Sequence, residues 1–232
     1  MMTDERGGRP MAEMDVFSVV GPVMVGPSSS HTAGAVRIGR MARAVAGARV
    51  RRAEVVLHGS FADTYRGHGT DRAIVAGLLG LETDDPRVRE ALSIARRSGL
   101  DVSFRLADLG NVHPNTAKVI LTADDGRTTE VTGSSIGGGA IRIVAIDGYE
   151  VSLSGEYHTL VTVHQDRPGV VARVSDVIAR AGLNIAFMRV SRRGRRAEAM
   201  MTIELDDEIP SWVTSEVGSI QAIRRAFAVP RI

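Results

Sequence analysis

Two Asp–Gly turns constrain this chain more than any other local feature. Asp124-Asp125-Gly126 separates the apolar runs Thr116–Ala123 and Thr128–Gly133, and Asp147-Gly148 separates Ala140–Ile146 from Tyr149–Leu153. Short β-prone runs joined by Asp-Gly predict tight antiparallel hairpins. Helical patterns precede them. Pro27–Ala48 reads as a loop and then a helix, with Val36, Ile38, Met41, Ala42 and Val45 as its apolar stripe and Gly47 as its stop. Glu54–Leu57 reads as a strand, with His58-Gly59-Ser60 as the turn that closes it. Asp71–Leu81 and Pro86–Ser98 read as helices, and Val102–Leu106 as a further strand. Helices interleaved with antiparallel hairpins predict an α+β domain.

The character changes near Ser154. From Leu160 the order is strand, helix, strand, strand, helix, strand, with the basic turn Arg192–Arg196 between the middle strands. About 70 residues in βαββαβ order is the ferredoxin-like arrangement. A length of 232 residues fits two such units. The predicted organisation is a flexible tail over 1–13, a first domain over 14–154 and a second over 157–232.

Composition removes several functions. The chain has no cysteine, which excludes disulfides, a thiol nucleophile and any cysteine-ligated cluster held by this chain alone. Lys118 is the one lysine, so 28 of the 29 basic residues are arginine. A single lysine argues against a pyridoxal-phosphate Schiff base. Net charge is +2 with acids and bases interspersed, and aromatics are 4%, too few for nucleic-acid stacking platforms. No apolar run approaches the roughly 18 residues of a membrane span. The polar start MMTDERGGRP lacks an apolar signal core, which points to a cytoplasmic protein.

Four polar stretches stand out. Ser28, Ser29, Ser30, His31 and Thr32 sit just before a predicted helix, where free backbone N–H groups favour an anion. That is more hydroxyls than an N-cap needs. Gly67-His68-Gly69-Thr70-Asp71 opens the next helix, so two glycine-associated imidazoles lie at predicted helix starts, where acid–base chemistry near neutral pH is available. His113-Pro114-Asn115-Thr116 offers Asn115 to a substrate, or is an Asx-type turn. The run from Gly133 through Gly139, with Gly137 and Gly138, reads as a loop able to form a carboxylate nest, and no Walker lysine follows it. In the second unit, Asp166-Arg167-Pro168-Gly169 and Asn184 mark a strand-to-helix turn and a helix exit. His158 and His164 read as ordinary strand residues.

Taken in order, the stretch Val20–Thr32, Gly59-Ser60, Gly67–Asp71, His113–Thr116 and Ser135–Gly139 resembles the beta chain of bacterial iron–sulfur-dependent L-serine dehydratases, from about Asp15 to the C-terminus. The part from Tyr157 onward resembles an ACT domain, a small regulatory module that often binds amino acids. The resemblance implies a two-chain L-serine ammonia-lyase that makes pyruvate and ammonia, with a [4Fe–4S] cluster on a cysteine-bearing alpha chain and no metal in this chain. It assigns His31 and His68 to catalysis. Ser28, Ser29, Ser30, Thr32, Thr70, His113, Asn115, Gly137 and Gly138 are assigned to substrate. Asp166, Gly169 and Asn184 become an ACT ligand site, and the ACT unit is expected to self-associate. In this family the first domain also resembles the allosteric substrate-binding domain of some phosphoglycerate dehydrogenases. The same residues could therefore hold an activating L-serine. A stand-alone amino-acid sensor is the competing reading. A fragment-like relative of phosphoglycerate dehydrogenase would need a nucleotide-binding domain, which this sequence lacks.

Overall fold

The computed structural model describes residues 23–232. The predicted tail over 1–13 and the start of the first motif at Val20–Pro22 lie outside the described residues. Helix α1 spans Ala33–Ala46 and ends at Gly47, which takes the left-handed conformation expected of a glycine stop. Strand β1 (Val50–His58) follows, then helices α2 (Gly59–His68) and α3 (Thr70–Leu79). A 3-10 turn at Pro86–Glu90 leads into helix α4 (Ala91–Arg97), and Asp85 caps that turn by accepting from the Arg87 N–H. Strands β2 (Asp101–Leu106), β3 (Thr116–Ala123), β4 (Thr128–Gly137), β5 (Ala140–Ile146) and β6 (Tyr149–Leu153) complete the first unit.

These six strands form one sheet in the order β2-β1-β3-β4-β5-β6. Both predicted hairpins are present and antiparallel. β1 and β2 pair in parallel, as their long helical connection requires. α1 lies against β3, β4 and β5, and α3 packs on α1. The two helices approach at their glycines: a Cβ on Gly77 would sit 2.0 Å from the Val36 carbonyl oxygen, and one on Gly39 would sit 2.2 Å from that of Ile74. Only hydrogen at these positions permits the crossing.

Two local expectations fail. The segment after β1, read as a turn, is the ten-residue helix α2. Its residues, GSFADTYRGH, carry two glycines and one fully buried apolar side chain, Phe61, so no helical stripe is visible. Gly59 enters it at φ +53°, with Pro114 so close that a Cβ would lie 2.7 Å from the Pro114 carbonyl oxygen. Second, the run from Gly133 is not a loop. β4 continues through Gly137, and Gly133, Ser134, Ser135 and Gly137 pair with Ile143, Arg142, Ile141 and Ala140. The ladder consumes the backbone groups that a nest would have offered.

The second unit contains β7 (His158–Gln165), α5 (Val170–Arg180), β8 (Ile185–Arg192), β9 (Glu198–Leu205), α6 (Ser211–Ser219) and β10 (Ile223–Val229). Its sheet runs β10-β7-β9-β8, antiparallel throughout, which is the predicted ferredoxin-like order. Alternate residues divide this sheet between two cores. Leu160, Met201 and Ile203 pack under the unit's own helices, while Val161, Met200 and Val229 join the core of the first unit. The Tyr149 hydroxyl donates to Glu198 at 2.5 Å across the same junction. Both sheets are therefore needed to close the larger core.

Candidate functional site

The site forms where the starts of α1 and α2 meet the junction of α2 with α3. His31 is only 8% exposed. Its Nδ1 lies 3.3 Å from the Ser28 hydroxyl and its Nε2 lies 3.1 Å from that of Ser60. Ser28 Oγ also accepts the His31 backbone N–H. Both ring nitrogens of His31 are therefore within hydrogen-bond reach of a serine hydroxyl. Burial holds the His31 imidazole below its ordinary range, and the nearby His68 pushes the same way against a hydrogen bond to Ser60. The His31 ring meets His68 edge-on at 4.7 Å between centroids and Phe61 at 5.3 Å.

His68 is not at a helix start. It is the last residue of α2, and Gly69, at φ +74°, turns the chain into α3. Its Nδ1 is buried with no partner. Four further buried side-chain atoms share that condition: Thr32 Oγ1, Thr70 Oγ1, Asn115 Oδ1 and Ser135 Oγ. Contacts link their carriers. Ser135 Oγ lies where a Cβ on Gly34, two residues beyond Thr32, would clash at 2.1 Å. The Ser135 N–H donates to the Asn115 carbonyl at 2.9 Å. Thr32 and His68 face one cleft of about 590 Å3, whose rim carries Arg72 and Arg89. Buried polar groups are nearly always paired, and each unpaired one costs about 1–3 kcal/mol. All five lie within the polar stretches of the sequence, and two of their carriers, Thr32 and His68, line that cleft.

The remaining expected residues fall into place differently. The α1 start offers hydroxyls more than backbone donors, because the N–H groups of Thr32 and Gly34 are taken by the Ser28 and Ser29 carbonyls. Ser29 and Ser30 are half-buried beside them. Thr32 occupies the N-cap position without making a side-chain cap. His113 is exposed, and its Nδ1 accepts the Asn115 N–H at 3.1 Å, so it shapes the turn. Gly137 closes β4, and Gly138 and Gly139 form the β4–β5 turn, where Arg37 donates to the Gly139 carbonyl. Sequence reasoning assigned no role to Arg72 or Arg89, and took Ser60 only as part of the Gly59-Ser60 motif. Ser60 was hidden in the segment read as a turn, and Arg72 and Arg89 carry no motif among 28 arginines. In the second unit, Asp166 accepts from Arg192 at 3.4 Å and from the Arg196 N–H at 3.1 Å, and Asn184 donates to Asp206 at 2.7 Å. Those two side chains already serve internal contacts. Gly169, at φ +84°, starts α5 with open space around it.

No group of three or more metal-binding side chains is assembled among the described residues, and the chain has no cysteine. Nothing here fits a [4Fe–4S] cluster held by this chain.

Comparison with known proteins places both units. The serine dehydratase beta chain family matches residues 13–99, and the ACT domain family matches residues 158–211. The probable L-serine dehydratase beta chain of Bacillus subtilis (strain 168) is 46% identical over 213 residues, 92% of this chain and 96% of that protein. The L-serine dehydratase beta chain of Peptoniphilus asaccharolyticus is 38% identical over 217 residues, 93% of this chain and 98% of that one. A D-3-phosphoglycerate dehydrogenase of Synechocystis sp. is 27% identical over 83% of this chain, but over only 35% of its own length. With matches of that identity running almost end to end, this chain belongs to the L-serine dehydratase beta-chain family and carries a C-terminal ACT domain.

Proposed function

We propose that the chain is the beta subunit of a two-chain L-serine ammonia-lyase, active only with a cysteine-bearing alpha chain that holds a [4Fe–4S] cluster. The observation that carries the reading is the edge-on His31–His68 pair beside a cleft lined by Thr32, His68, Arg72 and Arg89. L-Serine has an ammonium, a carboxylate and a hydroxyl, and such a lining can pair with all three. Arg72 and Arg89 on the cleft rim suit the carboxylate. Thr32, Thr70, Asn115 and Ser135 orient the remaining polar groups.

The two histidines divide the work. His68, with Nδ1 free, takes the α-proton as general base. His31 has both ring nitrogens engaged and is a positioning residue that packs His68 in place. Overall, L-serine loses its α-proton and its β-hydroxyl as water, and the enamine tautomerises and hydrolyses to pyruvate and ammonia. This chain provides no cluster ligand, so its share is binding, orientation and proton transfer. The setting is a cytoplasmic complex with self-association through the ACT unit.

A second reading has a specific observation behind it. The D-3-phosphoglycerate dehydrogenases that share this region are named for a different reaction, which favours the same cluster as a serine-binding regulatory site. The test is His68→Ala and His68→Gln in complex with the alpha chain under anaerobic conditions. Catalysis by His68 predicts a loss of turnover of at least ~10²-fold in both, with folding intact. Near-wild-type turnover together with lost activation by serine would overturn it in favour of the regulatory reading.

A further inference from the structure

At the far end of α1 from His31, where α1 and α3 both terminate, a cleft of about 840 Å3 opens. That volume lies in the range of small-molecule sites, roughly 300–1,000 Å3. Val50, Leu78, Leu79 and Leu100 give it an apolar lining. Arg40, Arg43, Arg49 and Arg231 bring four guanidiniums to it, and no aspartate or glutamate side chain lines it. Pro230, Arg231 and Ile232 close one side, so the cleft joins the first unit to the segment that follows β10.

This concentration of charge is local, because the whole chain carries a net charge of only +2. Its neutralisation is incomplete. Arg40 pairs with Glu82. Arg49 approaches Asp124 at 3.7 Å, but both side chains are more than half exposed, and such pairs contribute little in water. Arg43 and Arg231 are exposed and form no ion pair among the described residues. Arg43 donates to the Leu78 carbonyl at 3.2 Å, as suits a cation near a helix C-terminus. A guanidinium has five N–H groups, so most of its donors stay available. Arg37, three residues before Arg40, adds a further cation, held by the carbonyls of Gly139 and Ile232 rather than by an acid. Burial pushes the Arg37 guanidinium below its ordinary value, and Arg40 adds to that push against the pull of Glu156. Like charges three residues apart on a helix repel, so the cleft gathers cations whose repulsion an incoming anion relieves.

We propose that this cleft binds a small organic phosphate with two or more negative charges, its phosphate oxygens on Arg43 and Arg231 and its organic body against the apolar lining. A guanidinium fork matches two phosphate oxygens at once. Cations beside a hydrocarbon wall suit a phosphate ester better than a free inorganic ion. Nucleotides and sugar phosphates share this chemistry. A ligand held there ties residues 230–232 to the ends of α1 and α3, and binding to the folded chain alone raises its stability. The cleft shares no residue with the cleft beside His68 or with the Asp166–Gly169 turn. The proposal does not depend on the catalytic reading, because binding is measured on this chain alone.

The experiment is calorimetric titration of the purified full chain with AMP, ADP, ATP and glucose 6-phosphate, each at up to about 5 mM and at low ionic strength. At least one is expected to bind with one site per chain and to raise Tm, and the four arms separate nucleotides from sugar phosphates. Inorganic phosphate and the dephosphorylated counterpart, adenosine or glucose, should each bind at least about tenfold more weakly, as should the ligand to Arg43→Met and to Arg231→Met. Both arginines are exposed and outside any ion pair among the described residues, so both variants keep the fold, and thermal unfolding without ligand checks this. Arg173→Met, on the exposed side of α5, is the control and should bind as the parent does. Absence of binding by all four phosphates overturns the proposal. So does inorganic phosphate binding equally well, which marks an adventitious ion only. Binding that survives both substitutions, or that falls as far in Arg173→Met, overturns it too.

Discussion

Replacing Thr70 by valine should make the chain more stable and the enzyme worse. Thr70 is fully buried at the start of α3, and its hydroxyl has no partner. Valine has nearly the same shape and the same branching at Cβ, so the substitution exchanges the hydroxyl for a methyl in place. The unpaired hydroxyl costs about 1–3 kcal/mol of desolvation in the unliganded chain. Removing it recovers part of that cost, and burying a methyl adds up to about 0.8 kcal/mol. A net gain of about 1–2 kcal/mol follows, and each kcal/mol raises Tm by roughly 2–4 °C in a chain of this size. Denaturant and thermal unfolding of the isolated chain measure the gain. Serine deamination after assembly with the alpha chain measures the loss, expected at about tenfold or more if the hydroxyl pairs with substrate. A destabilised Thr70→Val variant would show that the hydroxyl has a partner in the free chain. A stabilised variant with unchanged activity would show that the vacancy is not a binding feature.

Two further outcomes follow from the packing and the titrating groups. Gly77→Ala places a Cβ about where the Val36 carbonyl oxygen sits, at 2.0 Å, and backbone cannot give way cheaply, so urea unfolding should show a loss of about 1–3 kcal/mol or more. Unaltered stability would refute a close α1–α3 crossing. His31 and His164 both titrate below the ordinary imidazole value, chiefly through burial. The unfolded chain therefore takes up protons near pH ~6.5 while the folded chain does not. Their contribution is complete above that pH and falls as pH drops toward the depressed values. Glu204, shifted upward, acts in the opposite sense, so the comparison is between variants. Urea midpoints measured from about pH 7 to 5 should fall less steeply in His164→Gln and least steeply in the double variant with His31→Gln. Equal slopes would refute the assignment.

Much of the architecture is legible in the sequence. The Asp-Gly hairpins, the glycine stop at Gly47 and the βαββαβ order all depend on residues within a few positions of one another. Their conformational preferences act locally, and the structure contains each of them. The polar stretches were also visible as stretches, and four of the five unpartnered atoms belong to residues chosen from them, Ser135 being the exception in name though within the motif.

What the sequence determined by itself was therefore local conformation, the two-unit plan and the inventory of reactive groups. What only the tertiary structure decided was which of those groups stay free. α2 draws its order from Phe61 and from Pro114, about 50 residues away, so no helical stripe announces it. β4 runs through the glycines because β5 returns alongside and claims their backbone groups. Ser60 became a partner of His31 across 29 positions. Val161, Met200 and Val229 were assigned to the first unit's core by the side of the ACT sheet they occupy once it docks. Hydrogen-bond satisfaction, burial and charge are properties of neighbours in space. Five polar side chains are left unpaired because the fold buries them and gives them nothing to bind.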